Sequence, residues 1–309
     1  EQGSLEFLSL GDYGKSNNIK AQFLGLNEDI NGVEHSEMLS LEEKWVITIS
    51  SQYGCSMGCT FCDVPLVGPG KNATGQDMVK QVMKALQLHP EVKNAKRINL
   101  HYARMGEPTF NWDMINSATF LAEYFASRGW AFHPVISTMM PCTHMALRDY
   151  LSAWMHLKNN IMDGNAGLQI SVNTTDETMR AKMFGNNSMT IRQIAYTLNH
   201  FKVKGRKITL NFALTDAPID ASKLAQLFDP NKFMCKITPM HLTTTALNNN
   251  ERTGDSGSDF GYSRYYPYRK TEESLIAAGF DVIVFIPSKE EDASRITCGN
   301  AILSDGKKG

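Results

Sequence analysis

The sequence contains no uninterrupted apolar run of about 18 residues, so it offers no segment able to cross a bilayer as a helix. It opens Glu1-Gln2-Gly3-Ser4, without the basic stretch and apolar core of a secretory leader. Charge of one sign is not in excess either: 31 Lys and Arg face 32 Asp and Glu, for a formal net charge of −1. Dedicated nucleic-acid binders usually carry a basic stripe; here basic residues gather only at 202–207, read as a solvated helix end, and at Lys307-Lys308. Composition alone therefore predicts no large phosphate-binding footprint. There is no G-x-G-x-x-G run to suggest a doubly wound dinucleotide fold, and no internal repeat. Cysteine is sparse, six in 309 residues with half of them clustered, which excludes a secreted disulfide framework. The expected location is the reducing cytoplasm, with no membrane partner.

The clustered cysteines organise everything else. Cys55, Cys59 and Cys62 form a C-x3-C-x2-C run directly after the β-branched stretch Trp45–Ser50. Three thiolates can hold three corners of a [4Fe-4S] cube, since soft sulfur ligands select such clusters. The run lacks a fourth Cys, so the fourth iron would be left for a ligand that is not protein. Two plainer readings stand beside this one. The thiols could belong to a zinc site, which usually wants a fourth Cys or His nearby, or they could be small buried hydrophobes.

With 309 residues and 42% hydrophobic content, the chain can bury one large core. From Trp45 onward, strand and helix patterns alternate. Strands are expected near 45–50, 98–102, 132–137, 168–173, 207–213, 233–238 and 281–286. Helices are expected near 74–89, 112–128, 144–157, 189–203, 220–228 and 270–279. Thr74 and Asp77 have the spacing of a helix cap, ahead of Met78, Val79, Val82, Met83 and Leu86 at helical period. Such alternation implies a parallel sheet. The fold class is thus α/β, an open or partial (β/α)6 barrel over residues 45–288, with chemistry gathered at the carboxyl ends of its strands. Residues 1–18 read as polar and flexible. Residues 19–44 read as an N-terminal β-hairpin extension turning at Asn31-Gly32. The polar stretch 243–258 reads as a loop on the substrate side, and 289–309 as a C-terminal segment carrying Cys298.

Polar residues recur at successive strand ends. Gly106-Glu107-Pro108 follows the second barrel strand, where a carboxylate can accept hydrogen bonds from an ammonium group and a glycine admits close backbone approach. Ser137 ends the third strand, Ser171 and Asn173 end the fourth, and His241 follows the sixth. Each alone has an ordinary alternative: Glu107 as a helix-terminal carboxylate, Asn173 as a cap, His241 as a satisfied loop histidine. Cys298, in Thr297-Cys298-Gly299-Asn300, reads as an exposed loop thiol able to act as a nucleophile.

Taken together these motifs resemble the radical S-adenosylmethionine (SAM) methyltransferases of the RlmN and Cfr type. The carriers are Ser50–Cys62, Met105-Gly106-Glu107-Pro108-Thr109-Phe110-Asn111, Ile136-Ser137-Thr138, Ile170-Ser171-Val172-Asn173, Ile237-Thr238-Pro239-Met240-His241 and Thr297-Cys298-Gly299-Asn300, in the family's order from about residue 20 to 303. The resemblance implies a [4Fe-4S] cluster on Cys55, Cys59 and Cys62, and SAM bound near Gly106, Glu107, Ser137, Ser171, Asn173 and His241. It implies a one-electron reductant such as flavodoxin or ferredoxin, and methyl transfer through Cys298 to an sp2 carbon of an RNA base or nucleotide-like substrate. It also suggests Glu34 as a proton acceptor. The alternative is hydrogen abstraction or rearrangement on a small molecule or peptide, without the two-cysteine mechanism. Three features depart from the family: Thr48 stands at the resolving-cysteine position, so Cys142 or Cys235 would have to substitute; Asn173 and His241 stand where histidine and asparagine are expected; and the helical N-terminal RNA-binding module is not seen in this sequence.

Overall fold

The computed structural model describes residues 3–11, 19–26, 39–241, 243–251, 266–286, 298 and 300–305. Among these, nine strands form one curled sheet in the order β1-β3-β6-β7-β8-β9-β10-β11-β2, with β1 at Phe7–Gly11 and β2 at Ile19–Lys20. Seven of them run parallel: β3 (Trp45–Ile49), β6 (Arg97–Tyr102), β7 (Ala131–Thr138), β8 (Gly167–Ser171), β9 (Ile208–Leu214), β10 (Phe233–Pro239) and β11 (Asp281–Phe285). This is the half-barrel that the alternation predicts. Two short strands, β4 (Gln52–Gly54) and β5 (Pro69–Asn72), make a separate hairpin around the cysteine run.

Helices join the parallel strands, as parallel pairing requires, and one more follows the last strand. They are α1 (Gly75–Gln87), α2 (Asp113–Ala126), α3 (Leu147–His156), α4 (Glu177–Met183), α5 (Ile191–Asn199), α6 (Ala221–Leu227), α7 (Thr244–Asn248), α8 (Tyr266–Ala277) and α9 (Asn300–Asp305). The expected cap of α1 is a full capping box: Asp77 N donates to Thr74 Oγ1 at 3.1 Å and Thr74 N donates to Asp77 Oδ2 at 3.0 Å. Such a box stabilises a helix start by about 1 kcal/mol.

Strand alternation then decides what the half-barrel encloses. Trp45, Ile47 and Ile49 of β3, and Phe233, Cys235 and Ile237 of β10, are buried toward the helices. The intervening positions turn to the concave face, where Thr48, His101, Ser137, Gln169, Asn211 and Lys236 line a cavity. A closed barrel fills this space with Val, Ile and Leu. Here polar side chains stand among apolar ones and the space is open.

Three expectations are corrected. Residues 1–18 are not uniformly flexible, because Phe7–Gly11 form β1, antiparallel to β3, with the Trp45 indole N–H donating to Ser9 Oγ at 2.9 Å. Leu5 and Phe7, two positions apart, pack against the core from a face that the polar context hid. Of the expected hairpin, β2 (Ile19–Lys20) pairs antiparallel with β11, and a 3-10 turn follows at Gln22–Leu24; Glu34 and the Asn31-Gly32 turn lie outside the described residues. The stretch from 243 is not wholly a loop: Thr243 caps α7, its hydroxyl accepting from Ala246 N at 3.0 Å.

Candidate active site

The cysteine run and the Gly106-Glu107-Pro108 run are built as one unit. Ser51 N donates to Met105 O at 2.9 Å and Arg104 N to Ile49 O at 3.1 Å. Glu107 N donates to Gln52 Oε1 at 3.0 Å, and the Asn111 amide donates to Ser51 O at 2.7 Å and Ala73 O at 2.8 Å. Gly106 has φ +107°, and a Cβ there would sit 2.7 Å from Gln52 Cβ. Only glycine tolerates both constraints. The spacing of the second motif is therefore explained by packing: its glycine abuts the first motif and its asparagine stitches it down.

The cysteine loop is fastened on two further sides. Thr60 N donates to Met183 O at 2.9 Å, at the end of α4. The Thr60 hydroxyl donates to Glu251 Oε1 at 2.7 Å, Asn249 Nδ2 donates to Thr60 O at 2.9 Å, and the Thr243 hydroxyl donates to Phe61 O at 2.9 Å. Met57, Met139, Met183, Phe184 and Met240 form an apolar cluster against which Cys55, Cys59 and Phe61 pack. Burial raises all three thiols. Cys55 is pushed up to about 11, and Cys59 and Cys62 are also raised, with the neighbouring sulfurs adding to the effect. Among the described residues no group of three His, Cys, Asp or Glu side chains converges on one ion. A single zinc needs sulfurs about 2.3 Å from a common centre, whereas a four-iron cube spreads its protein ligands over separate corners.

Glu107 is 4% exposed. Its Oε1 accepts from Thr109 N at 3.2 Å and from the Thr109 hydroxyl at 2.7 Å, and its Oε2 accepts from Met139 N at 3.0 Å. Burial raises its carboxyl while these hydrogen bonds, with one from Thr138, pull the other way. Glu107 thus ties the β6 end to the β7 end beside Cys55 and Cys59.

A cavity of about 420 Å³ opens at the carboxyl ends of the strands. Its wall includes Cys62, Asp63, Ser137, His241 and Cys298, with Thr48 and His101 deeper on the concave face. Ser137 Oγ accepts from Gln169 Nε2 at 3.1 Å. Ser171 lies on the Gln169 face of β8, and Asn173 turns the chain with φ +62°. Asn173 Oδ1 accepts from Ala213 N at 3.1 Å, while its buried Nδ2 and the buried Oδ1 of Asn211 have no protein partner. Buried polar atoms of that kind are expected to meet a ligand or water. Cys298 is not the exposed thiol expected from the sequence. It is partly buried, donates to Ala103 O at 3.3 Å, and its thiol is raised by burial, which the nearby Arg104 opposes. Cys142 is exposed, and Cys235 is buried on the helix side of β10. Neither lines the cavity, so neither offers a sulfur opposite Cys298 in place of Thr48.

Sequence reasoning missed several residues. Arg180, 1% exposed, donates to the carbonyls of Ser171 and Val172 at 2.7 Å each, Met139 at 3.1 Å and Met189 at 3.2 Å, and its guanidinium lies 4.6 Å from the Phe184 ring centre. Asp63, 1% exposed, receives hydrogen bonds from Thr244, Thr245 and Asn300. Burial acts against its charge, but those hydrogen bonds outweigh it and hold the carboxyl below the usual carboxylate range. His101 is pushed down to about 3 by burial and by the Lys236, Arg206, Lys44 and Arg97 cations, so it is neutral at physiological pH. The one available signal was polar residues at the inward strand positions.

No family model matches the chain. It is 30% identical over 208 residues to the ribosomal RNA large subunit methyltransferase N of Nitrosopumilus maritimus, covering 64% of this chain and 55% of that protein. It is 29% identical over 199 residues to the dual-specificity RNA methyltransferase RlmN of Lawsonia intracellularis, covering 62% and 52% respectively. The chain spans about half the length of these curated relatives. Among solved structures, a radical SAM methyltransferase from Sphaerobacter thermophilus superposes with a TM-score of 0.57 at 20% identity, over 85% of this chain and 71% of that one. That likeness is one of fold.

Proposed function

We propose, from the premise that this chain is a divergent relative of the RlmN-type radical SAM methyltransferases, that it transfers a one-carbon unit through Cys298 to an sp2 carbon of an RNA base or nucleotide-like substrate. The observation that carries this reading is that Cys298, remote in sequence, lines the same cavity as Cys62 at the carboxyl ends of the strands. The bound groups, a [4Fe-4S] cluster and SAM, supply the methyl group and the adenosyl radical chemistry, with an external one-electron donor.

The residues of the chain divide the work. Cys55, Cys59 and Cys62 would hold the cluster. The methionine-rich cluster around them limits water access. Glu107 keeps the β6 and β7 ends together beside those thiols, and the Gly106 backbone forms the adjoining wall. Asn173, with its unpartnered amide nitrogen, and Ser171 would help to hold SAM. Ser137 and His241, on the cavity wall, would also contribute to the SAM site. Cys298 must lose its proton before it can accept a methyl group; burial raises its thiol and works against that ionisation, and Arg104 offsets part of the effect.

Peptide mass analysis of protein produced in SAM-replete cells tests the reading. A methyl or methylene adduct on Cys298 is the expected result. In Cys298→Ala, SAM cleavage should persist while methylated product disappears. An unmodified Cys298 in cluster-loaded protein that cleaves SAM would overturn the proposal.

A further inference from the structure

Cys62 is followed by a buried carboxylate that touches two separate parts of the chain. Asp63 Oδ1 accepts from Thr245 N at 2.8 Å and from the Thr245 hydroxyl at 2.6 Å. Its Oδ2 accepts from Thr244 N at 3.2 Å and from Asn300 Nδ2 at 3.0 Å. Asn300 is itself 5% exposed and stands two residues after Cys298. The carboxylate uses both oxygens, and every one of these donors lies more than 180 residues away in sequence. Charge-assisted hydrogen bonds of this kind fix geometry more firmly than neutral ones.

We infer that Asp63 is a positioning residue that sets Cys298 against the cysteine loop, so that the two sulfur-bearing segments share one registration point. The inference rests on the reading of Cys298 as the carrier of the one-carbon unit. The carboxylate also anchors the start of α7, whose flanking Thr243, Asn249 and Glu251 grip Thr60 and Phe61. Asp63 therefore joins the cysteine loop, the segment after β10, and the Cys298 segment at one point.

The chemistry of the pair gives a sharp test. In Asp63→Asn an N–H2 replaces one acceptor oxygen, so it meets the N–H donors of Thr244 and Asn300 in one amide orientation and that of Thr245 in the other. Exchanging the two groups, as Asp63→Asn with Asn300→Asp, restores the hydrogen bond between these two positions but leaves Thr244 N without its acceptor. Hydrogen exchange followed by peptide mass analysis reads the contact in the full chain whatever the methylation state of Cys298. Amides of 300–305 should exchange at least tenfold faster in Asp63→Asn and return to the wild-type rate in the exchanged pair, while Thr244 stays fast. Iron content should be unchanged. The ratio of 5′-deoxyadenosine to methylated product should rise about tenfold in the single variant and fall back in the pair. Should Asp63→Asn fail to fold, Asn300→Leu reads the same contact from the other side.

Unchanged exchange at 300–305, or no recovery in the exchanged pair, would overturn the inference. Loss of iron in step with loss of product would do so too, by making Asp63 a cluster-loop residue only. If exchange behaves as expected but wild-type Cys298 never carries a one-carbon unit, the positional role stands and the proposed function falls.

Discussion

Replacing Arg180 by Met removes a guanidinium that binds four backbone carbonyls at the ends of β7 and β8 and in the α4–α5 connection. Met keeps most of the apolar volume, so the loss is mainly polar. Two of the four hydrogen bonds, to Val172 and Met139, are fully buried, while those to Ser171 and Met189 are partly buried. A hydrogen bond involving a charged group contributes about 1.5–3 kcal/mol when its partner cannot turn to water. The two buried ones then total about 3–6 kcal/mol as an upper range, since the Val172 carbonyl keeps the Thr174 N–H at 2.8 Å, and the partly buried carbonyls recover much of their loss through solvent. Some of the total is offset because a buried cation no longer has to be desolvated. That desolvation already pulls Arg180 down to about 10, still charged at neutral pH. The expected net loss is about 4 kcal/mol. Urea denaturation of the apoprotein should show a lower midpoint with an unchanged slope. Arg180→Lys should recover less than half, because one ammonium cannot reach carbonyls arrayed around a planar fork. A loss below about 1 kcal/mol in Arg180→Met, or full stability in Arg180→Lys, would refute the reasoning from unsatisfied carbonyls.

Other perturbations have equally definite outcomes. Arg104→Met leaves Glu6 buried without the partner it holds at 2.8 Å, with side-chain exposures of 6% and 4%; it should cost about 3–5 kcal/mol in denaturation, whereas Arg104→Met with Glu6→Leu should recover most of that. Gly106→Ala forces a side chain into φ +107° against Gln52 and should cost about 1–3 kcal/mol, with SAM binding by equilibrium dialysis weakened alongside. His101 titrates near 3 in the folded chain and near 6.5 when unfolded. The unfolded state therefore binds a proton first as pH falls, and stability drops between about pH 6.5 and 3, by at most about 1.4 kcal/mol per pH unit. His101→Gln should flatten that part of the stability–pH curve.

Much of the architecture was legible because it is local. The Thr74–Asp77 cap, the helical period after it, and the period-two strands need only neighbours in sequence to be recognised. The sulfur run and the Gly106-Glu107 run were legible for the same reason. What the sequence hid acts across distance. Asp63 looks like an ordinary residue beside a cysteine until Thr244, Thr245 and Asn300 arrive from the far end of the chain. Arg180 sits on a seven-residue helix too short to show a period. The Phe7–Gly11 strand lies in a polar stretch and is stabilised by pairing with β3. Cys298 was recognised as chemistry but read as exposed, because burial there depends on elements that precede it by hundreds of residues.

The two edges of the large sheet have a geometric consequence. β1 closes one edge and β2 the other, yet Gly11 and Ile19 are joined by only eight peptide units. Fully extended, such a stretch reaches about 29 Å at most. Nine strands laid flat, at about 4.8 Å between neighbours, would put those edges about 38 Å apart. The covalent chain thus acts as a chord across an arc. It forbids the sheet from flattening while both edges stay paired, and so sets an upper bound on the width of the half-barrel. A substrate too large for that width must be engaged at the rim, with only its reacting part inserted.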